Sequence, residues 1–193
     1  QLSCNLLFLI FPLMCFLIMV AKPLIVFLFT EKWIDCVPYF RILCLSGIPV
    51  VFQGASYNSI AAIGKSRLMF KWNLIKRIFS MTLIFTGLKW GVYGILWAMV
   101  VGAYVISFIN MCLVASQIGY NLGKQFRDII PIVLIATCPL MLLFLIKGIF
   151  EISNEYDCCM GIIYLVLYFI ISWCLKIEQL GNIGQILASI FRR

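Results

Sequence analysis

Six apolar runs divide this sequence, and each is long enough to cross a lipid bilayer as a helix. A hydrocarbon core of about 30 Å takes about 20 helical residues. The separators are short and rich in Gly, Asn and charged residues, as turns are. We therefore expect an all-α, polytopic membrane helix bundle whose consecutive helices pack antiparallel. The six expected transmembrane helices cover residues 4–29, 37–63, 68–88, 91–118, 129–147 and 158–175.

The composition excludes an ordinary soluble domain. Only 11% of the residues are charged and 64% are hydrophobic, whereas soluble domains carry about 25% charged residues. The net charge of +8 does not indicate nucleic-acid binding, because the basic residues fall between apolar runs and no basic groove or stacking module is visible. Membrane lipid is therefore an expected partner, and nucleic acid is not.

The distribution of Lys and Arg predicts how the bundle is oriented. An excess of these residues marks the cytoplasmic face, so both ends of the chain are expected to be cytoplasmic. The segment AAIGKSRLMFKWNLIKR, residues 61–77, holds half of that side's basic residues and also offers contacts to anionic lipid headgroups or an anionic substrate. The ten residues on the richer side are Lys65, Arg67, Lys71, Lys76, Arg77, Lys124, Arg127, Lys176, Arg192 and Arg193. The four on the poorer side are Lys32, Arg41, Lys89 and Lys147.

Lys22 lies inside the first predicted span and is assigned to neither side of the membrane. We expect its long side chain to reach the interface, and the neighbouring Pro23 predicts a bend in the first helix.

Nothing in the sequence indicates an enzyme. The chain has no histidine, which excludes a histidine-based relay, and no carboxylate lies within a predicted span. There is no Gly-rich phosphate loop after a strand and no CxxC pair. We expect no catalytic residue, no metal site and no cofactor.

Polar residues inside the second and fourth spans are candidates for lining a substrate cavity. Two interpretations stay open, because such side chains can face a hydrated central cavity or form interhelical hydrogen bonds of about 0.6 kcal/mol each. The candidates are Gln53, Tyr57, Asn58, Ser107, Asn110 and Gln117.

The third span places Asn73, Lys76 and Arg77 on one helical face near its predicted cytoplasmic end. Ammonium and guanidinium groups bind phosphate oxygens, so this face is a candidate site for a phosphate-bearing substrate. The alternative is that the charges only set the topology.

Small residues in the fourth span predict a tight helix crossing. Gly94, Ala98 and Gly102 recur every four residues, with Gly91 one turn earlier. This spacing lets two helix backbones approach closely.

The order of these features resembles the C-terminal half of the Wzx-type polysaccharide and O-antigen flippases, which belong to the same superfamily as the MATE multidrug transporters. In that family a small-x-Pro-apolar run precedes an outer turn with acidic, basic and Trp residues. The next span ends in an Ala/Gly-x-Gly-basic cytoplasmic turn, and a later span opens with Gly-x-x-Gly. Thr30 departs from the family, which often has Gly there. The stretches that carry the resemblance are AKPLIVFLFTEKW (21–33), VPYFRILCLSGIP (37–49), AAIGKSRL (61–68) and GVYGILWAMVVGAY (91–104).

The resemblance implies a two-lobed MATE-like transporter in the bacterial cytoplasmic membrane. It implies flipping of a polyprenyl-pyrophosphate-linked oligosaccharide during lipopolysaccharide or other surface-polysaccharide synthesis. Residues 1–118 would be second-lobe helices, residues 119–176 two additional helices flanking a groove for the polyprenyl tail, and residues 177–193 a cytoplasmic amphipathic tail. The chain begins at Gln1, so we expect a C-terminal fragment whose partner is the missing N-terminal lobe.

Two other functions stay open. The first is a drug or ion antiporter on the same fold, for which a buried acid is expected and none lies in the predicted spans. The second is a membrane subunit that transports nothing and only packs against partners.

Overall fold

The computed structural model describes residues 2–62, 66–118, 121–149 and 156–175. Nearly all of these residues are helical and none is in a strand, which confirms the predicted all-α class. Short 3-10 helices at Glu31–Cys36 and Leu88–Trp90 shape two of the turns. The helices are α1 Leu2–Met19, α2 Ala21–Phe29, α3 Val37–Ala62, α4 Ser66–Gly87, α5 Gly91–Ile118, α6 Leu122–Ile149 and α7 Asp157–Cys174.

Each predicted span coincides with helical structure, but the first is broken. Within the described residues, four stretches are long and apolar enough to cross a membrane, and one of them, Phe70–Ser116, contains both α4 and α5. A fifth is added if α1 and α2, which are bent by 71°, form one broken span. The bend lies at Val20, and Pro23 falls in the first turn of α2, where its missing N–H costs no helical hydrogen bond.

The chain divides into two compact units. The terminal unit consists of Gln1–Val37 and Asp128–Arg193, and the central unit of Pro38–Arg127. The predicted division at residues 118 and 176 stays a prediction, and the expected amphipathic tail at 177–193 lies outside the described residues.

In the central unit, α4 and α5 form an antiparallel hairpin. At its turn, a Cβ built on Gly87 would lie 2.6 Å from the carbonyl oxygen of Gly94, and one built on Gly94 would overlap the carbonyl oxygen of Gly87. Further along, a Cβ on Gly102 would lie 3.2 Å from Leu83. The predicted close approach is therefore confirmed for these glycines.

Gly91 does not take part in that close approach. A Cβ built on it meets no atom within 4 Å, and its φ is +67°. Gly91 instead starts α5 from a backbone conformation that disfavours side chains. The sequence pattern assigned it to the helix crossing, and this assignment was wrong.

In the terminal unit, α7 packs antiparallel to α1. Gly161 contacts α1, because a Cβ there would lie 2.9 Å from the ring of Phe16 and would overlap Val20. At the other end of the pair, the rings of Phe8 and Tyr168 lie with centroids 5.3 Å apart. This packing fixes which face of α7 is covered.

Candidate functional site

Helix α4 presents two different faces. Trp72, Lys76 and Leu83 lie on the side that packs against α5 and are partly buried. Arg67 and Lys71 lie on the opposite side and are exposed. The 3.6-residue period of the helix causes this separation. Lys76 therefore has different surroundings from Arg67 and Lys71.

The inner face of α4 meets a buried amide on α5. The indole Nε1 of Trp72 donates a hydrogen bond to Oδ1 of Asn110 at 2.9 Å, and Asn110 is only 2% exposed. The ammonium of Lys76 lies 5.6 Å from the centroid of the Trp72 ring, within the range of a cation–π contact. We call Trp72, Lys76 and Asn110 the hairpin cluster.

The amide nitrogen of Asn110 is left with an open donor. Among the described residues, no group accepts a hydrogen bond from the buried Nδ2 atom. Burying a donor without a partner is unfavourable by about 1–3 kcal/mol. A polar ligand or a water molecule is the ordinary partner of such a group.

Lys76 and Arg77 lie within the membrane-spanning part of α4. Lys76 is about 8 Å beyond Lys71 along the helix axis, inside the apolar stretch Phe70–Ser116. Arg77 is exposed. A charge within the hydrocarbon is unfavourable when it faces lipid, by about 2.5–3.5 kcal/mol at the helix centre. This flank of α4 therefore requires a polar surrounding, such as a water-filled cavity or further protein.

The structure brings together some of the predicted cavity residues. Ser107 is buried one turn before Asn110, and Asn73 is partly buried on α4 between Trp72 and the Lys76–Arg77 pair. Asn110 makes an interhelical hydrogen bond with Trp72 and its second polar atom remains open, so both interpretations stay open for this residue. The side chains of Gln53, Tyr57, Asn58 and Gln117 lie outside the described part of the structure.

Trp72 was missed as a site residue, because the sequence analysis singled out only Asn73, Lys76 and Arg77 in the third span. A signal was present, since Trp72 precedes Lys76 by four residues and the two share a helical face. Its partner on α5 could not be chosen from the sequence, because that depends on the register of the hairpin.

A second buried polar face runs along α7. Its buried residues recur at helical spacing and carry most of the polar groups of this helix, while the opposite face is apolar and exposed. This is the reverse of a water-soluble amphipathic helix and is expected where the outside is lipid. The buried polar residues are Asp157, Tyr164, Tyr168 and Ser172. The exposed apolar residues are Ile162, Ile163, Val166, Phe169, Ile170 and Trp173.

The tyrosines of this face donate to backbone carbonyls of proline-containing helices. Pro12 has no N–H, so the carbonyl of Phe8 loses its helical donor. The hydroxyl of Tyr168 donates to this carbonyl at 2.8 Å. The hydroxyl of Tyr164 donates to the carbonyl of Ala136 at 3.1 Å, within the turn that precedes Pro139. These hydroxyls replace or supplement backbone bonds, as membrane interiors require.

Asp157 is the buried acid that the sequence did not predict. It is the first residue of α7, is 3% exposed and pairs with Lys147 near the end of α6. Its Oδ2 atom is buried without a hydrogen-bond partner among the described residues. The expected absence of acids held for the predicted spans but not for the observed helices, because α7 begins at Asp157 and α6, which begins at Leu122, contains Asp128.

Comparisons with known proteins point to polysaccharide biosynthesis. Residues 4–38 match the family described as "Polysaccharide biosynthesis protein". The chain is 27% identical over 120 residues to the teichuronic acid biosynthesis protein TuaB of Bacillus subtilis, in an alignment covering 62% of this chain and 25% of that protein. It is 22% identical over 141 residues to an uncharacterized membrane protein in the cps region of Klebsiella pneumoniae, covering 72% of this chain and 29% of that protein.

The chain thus spans about a quarter of the length of the curated relatives it matches. No solved structure matches it. Together with the membrane helices, these similarities connect the chain with membrane proteins of polysaccharide biosynthesis.

Proposed function

We propose that this chain is part of a transporter that flips a polyprenyl-pyrophosphate-linked oligosaccharide across the bacterial cytoplasmic membrane during synthesis of a surface polysaccharide. The observation that carries the proposal is the hairpin cluster, in which Trp72 contacts both the ammonium of Lys76 and the buried Asn110, whose amide nitrogen is open. The similarity to polysaccharide biosynthesis proteins supports the substrate class.

The chemistry of the hairpin cluster suits an anionic and hydroxyl-rich headgroup. The ammonium of Lys76 and the amide of Asn110 are hydrogen-bond donors, and donors of this kind bind phosphate and sugar oxygens. Both residues lie within the stretch Phe70–Ser116, which is long and apolar enough to cross the membrane, and a polar headgroup that passes there during flipping has no bulk water to replace its hydration. In this proposal Lys76 and Arg77 attract the pyrophosphate, and Asn110 offers its N–H to the headgroup.

The cavity in this proposal is completed by protein beyond this chain. The exposed Arg77 requires a polar neighbour, and the relatives that the chain matches are about four times as long as the aligned segment. A second lobe of the same protein is the expected partner. The orientation with both ends in the cytoplasm, which the charge distribution predicts, would place the start of α4 at the cytoplasmic leaflet.

Export in a strain that lacks the corresponding gene tests this proposal. The full-length protein carrying Lys76→Gln or Asn110→Ala should restore less than about a tenth of surface polysaccharide, the effect of losing one interaction of about 1.4 kcal/mol. Lipid-linked oligosaccharide should accumulate in the cytoplasmic leaflet. The matched control is Lys89→Gln, which removes an exposed charge from the α4–α5 turn and should leave export intact. Normal export by both cluster variants at equal membrane abundance would refute the proposal.

A second candidate is cation-coupled or proton-coupled antiport, which the buried Asp157 favours. A carboxylate held in the protein interior with one open oxygen can exchange its partner for a cation. Asp157→Asn should then abolish the dependence of transport on the ion gradient while leaving binding of the transported molecule unchanged. If transport by Asp157→Asn depends on the ion gradient as before, the Lys147–Asp157 pair has only the structural role of joining α6 and α7.

A further inference from the structure

The outer face of α4 combines two basic residues with a row of apolar side chains. Arg67 and Lys71 are exposed on successive turns near the start of the helix. Leu74, Ile78 and Phe85 continue the same stripe at spacings of three, four and seven residues, and each is more than half exposed. We call these five residues the outer strip of α4.

The outer strip is separate from the hairpin cluster. Residues 67, 71, 74, 78 and 85 fall within about 60° of one another around the helix, whereas residue 76 lies on the opposite side. Trp72 and Lys76 face α5, and Arg67 and Lys71 face away from it. Two groups of basic residues in one helix therefore have different ligands available to them.

The outer strip is long enough to cover one membrane leaflet. Arg67 and Lys71 lie within about 8 Å of the helix start, and Phe85 lies about 21 Å beyond Lys71. One leaflet contributes about 15 Å of hydrocarbon. When the basic residues are at the level of the headgroups, the apolar part of the strip covers the full depth of the acyl chains.

We propose that the outer strip binds an anionic phospholipid of the membrane. The guanidinium of Arg67 and the ammonium of Lys71 contact the phosphate, and an acyl chain lies along Leu74, Ile78 and Phe85. Charge complementarity supports this occupant, because helix α4 contains no acid and a zwitterionic lipid would leave two adjacent cations with no net negative partner. The inference needs only that α4 spans the membrane, so it does not rest on the transport proposal.

Competitive lipid binding tests the inference. The purified full-length protein in mild detergent is mixed with equal amounts of phosphatidylglycerol and phosphatidylcholine with identical acyl chains, and bound lipids are counted by native mass spectrometry. We expect phosphatidylglycerol to be preferred. Arg67→Gln with Lys71→Gln should weaken its binding roughly thirtyfold, the effect of removing two surface charges, and should leave phosphatidylcholine binding unchanged.

Two matched variants separate a specific site from a general effect of charge. Lys32→Gln with Lys89→Gln removes two exposed basic residues elsewhere in the chain and should keep the preference. Arg67→Lys with Lys71→Arg retains both charges and should also keep it, which guards against a folding defect. Equal losses in the two glutamine variants, or no preference in the unchanged chain, would overturn the inference.

A polyprenyl phosphate serves as the competing probe. It shares an anionic head and an apolar tail with the phospholipid but resembles the transported lipid. Displacement of phosphatidylglycerol only at excess polyprenyl phosphate supports the phospholipid site. Displacement by substoichiometric polyprenyl phosphate would overturn it and would make the outer strip an entry face for the transported lipid.

Discussion

The α1–α7 pair and the α4–α5 hairpin both bury polar side chains, and they use them differently. In the α1–α7 pair, the hydroxyls of Tyr168 and Ser172 each donate to a backbone carbonyl. In the hairpin, Asn110 accepts one hydrogen bond and its Nδ2 atom has no partner among the described residues. The hydroxyls of the first pair are satisfied and its open buried atoms, Oδ1 of Asn5 and Oδ2 of Asp157, are oxygens, whereas the hairpin leaves an amide donor open.

Proline accounts for much of this difference. Helix α1 contains Pro12 and α6 contains Pro131 and Pro139, whereas α4 and α5 contain none. A proline removes a backbone donor, and neighbouring helices must supply another one within the membrane. Tyr168 of α7 performs this structural role for the carbonyl that Pro12 frees, and Tyr164 bonds a carbonyl in the turn before Pro139. The polar side chains of the hairpin have no proline-freed carbonyl to satisfy, so they are available for a ligand.

The largest expected effect comes from a single methyl group in the hairpin. Gly94→Ala places a Cβ against the carbonyl oxygen of Gly87, and overpacking against rigid backbone costs about 2–3 kcal/mol. Gly123→Ala is the control, since a Cβ there meets nothing within 4 Å, and it should be neutral or stabilising by up to about 1 kcal/mol. Reversible unfolding in mixed detergent micelles measures both. If the two variants change the free energy of unfolding equally, α4 and α5 can move apart at this crossing with little cost.

The next effect concerns the bond between α7 and α1. Tyr168→Phe removes the donor to the Phe8 carbonyl and should lower the free energy of unfolding by about 1–2 kcal/mol. In a Pro12→Ala background the backbone N–H of residue 12 can donate to the same carbonyl, so Tyr168→Phe should then cost markedly less. The double-mutant cycle measures this coupling. A coupling energy of zero would mean that Tyr168 does not compensate for the proline.

The comparison predicts the opposite behaviour for Asn110. Asn110→Leu removes one interhelical hydrogen bond and should change the free energy of unfolding by only about 0.6 kcal/mol. If the transport proposal is correct, export should fall by more than about tenfold, whereas Tyr168→Phe should change stability and leave export by the remaining folded protein normal. Comparing export per folded molecule for the two variants checks this. A proportional loss of stability and export in Asn110→Leu would assign the amide a structural role.

The positions of the helices could be predicted because bilayer thickness imposes a length on every apolar run. The predicted first span of 4–29 and the observed α1–α2 pair share nearly the same limits, and Pro23 indicated a bend. The break lies at Val20 instead, because a proline in the first turn of a new helix loses no hydrogen bond. The proline thus predicted that the first span bends, but the bend lies three residues before it.

The pairing of Trp72 with Asn110 could not be predicted in the same way. It depends on the register of α4 against α5, which the close approach of Gly87 and Gly94 fixes at the other end of the hairpin. The sequence identified the small residues that permit a crossing but not which side chains the crossing aligns. The burial of Asp157 was also not predictable. The sequence placed this residue in a loop, whereas it is the first residue of α7 and is buried.

The smallest expected change in stability concerns two turns, one in each unit, whose backbone conformations are similar. Thr30 ends α2 with φ +73° and ψ 170°, and Gly91 begins α5 with φ +67° and ψ −153°. Both conformations lie where only glycine is unstrained, and a β-branched residue there is disfavoured by at least about 1 kcal/mol. Thr30→Gly relieves this strain but gives the unfolded chain more freedom, so a net stabilisation of about 0.5 kcal/mol is expected.

The reciprocal substitution completes that test. Gly91→Thr introduces the same strain into the central unit and should destabilise it by at least about 1 kcal/mol, although an added Cβ meets no atom within 4 Å. Unfolding in mixed micelles measures both variants, with Thr86→Gly inside α4 as a control for the general cost of glycine in this chain. Thr86→Gly should destabilise the helix by roughly 0.5 kcal/mol. If Thr30→Gly stabilises the protein while Thr86→Gly destabilises it, the gain at Thr30 comes from its backbone conformation. Destabilisation by Thr30→Gly would instead show that contacts of the threonine side chain outweigh the strain at the turn between α2 and the outer 3-10 helix.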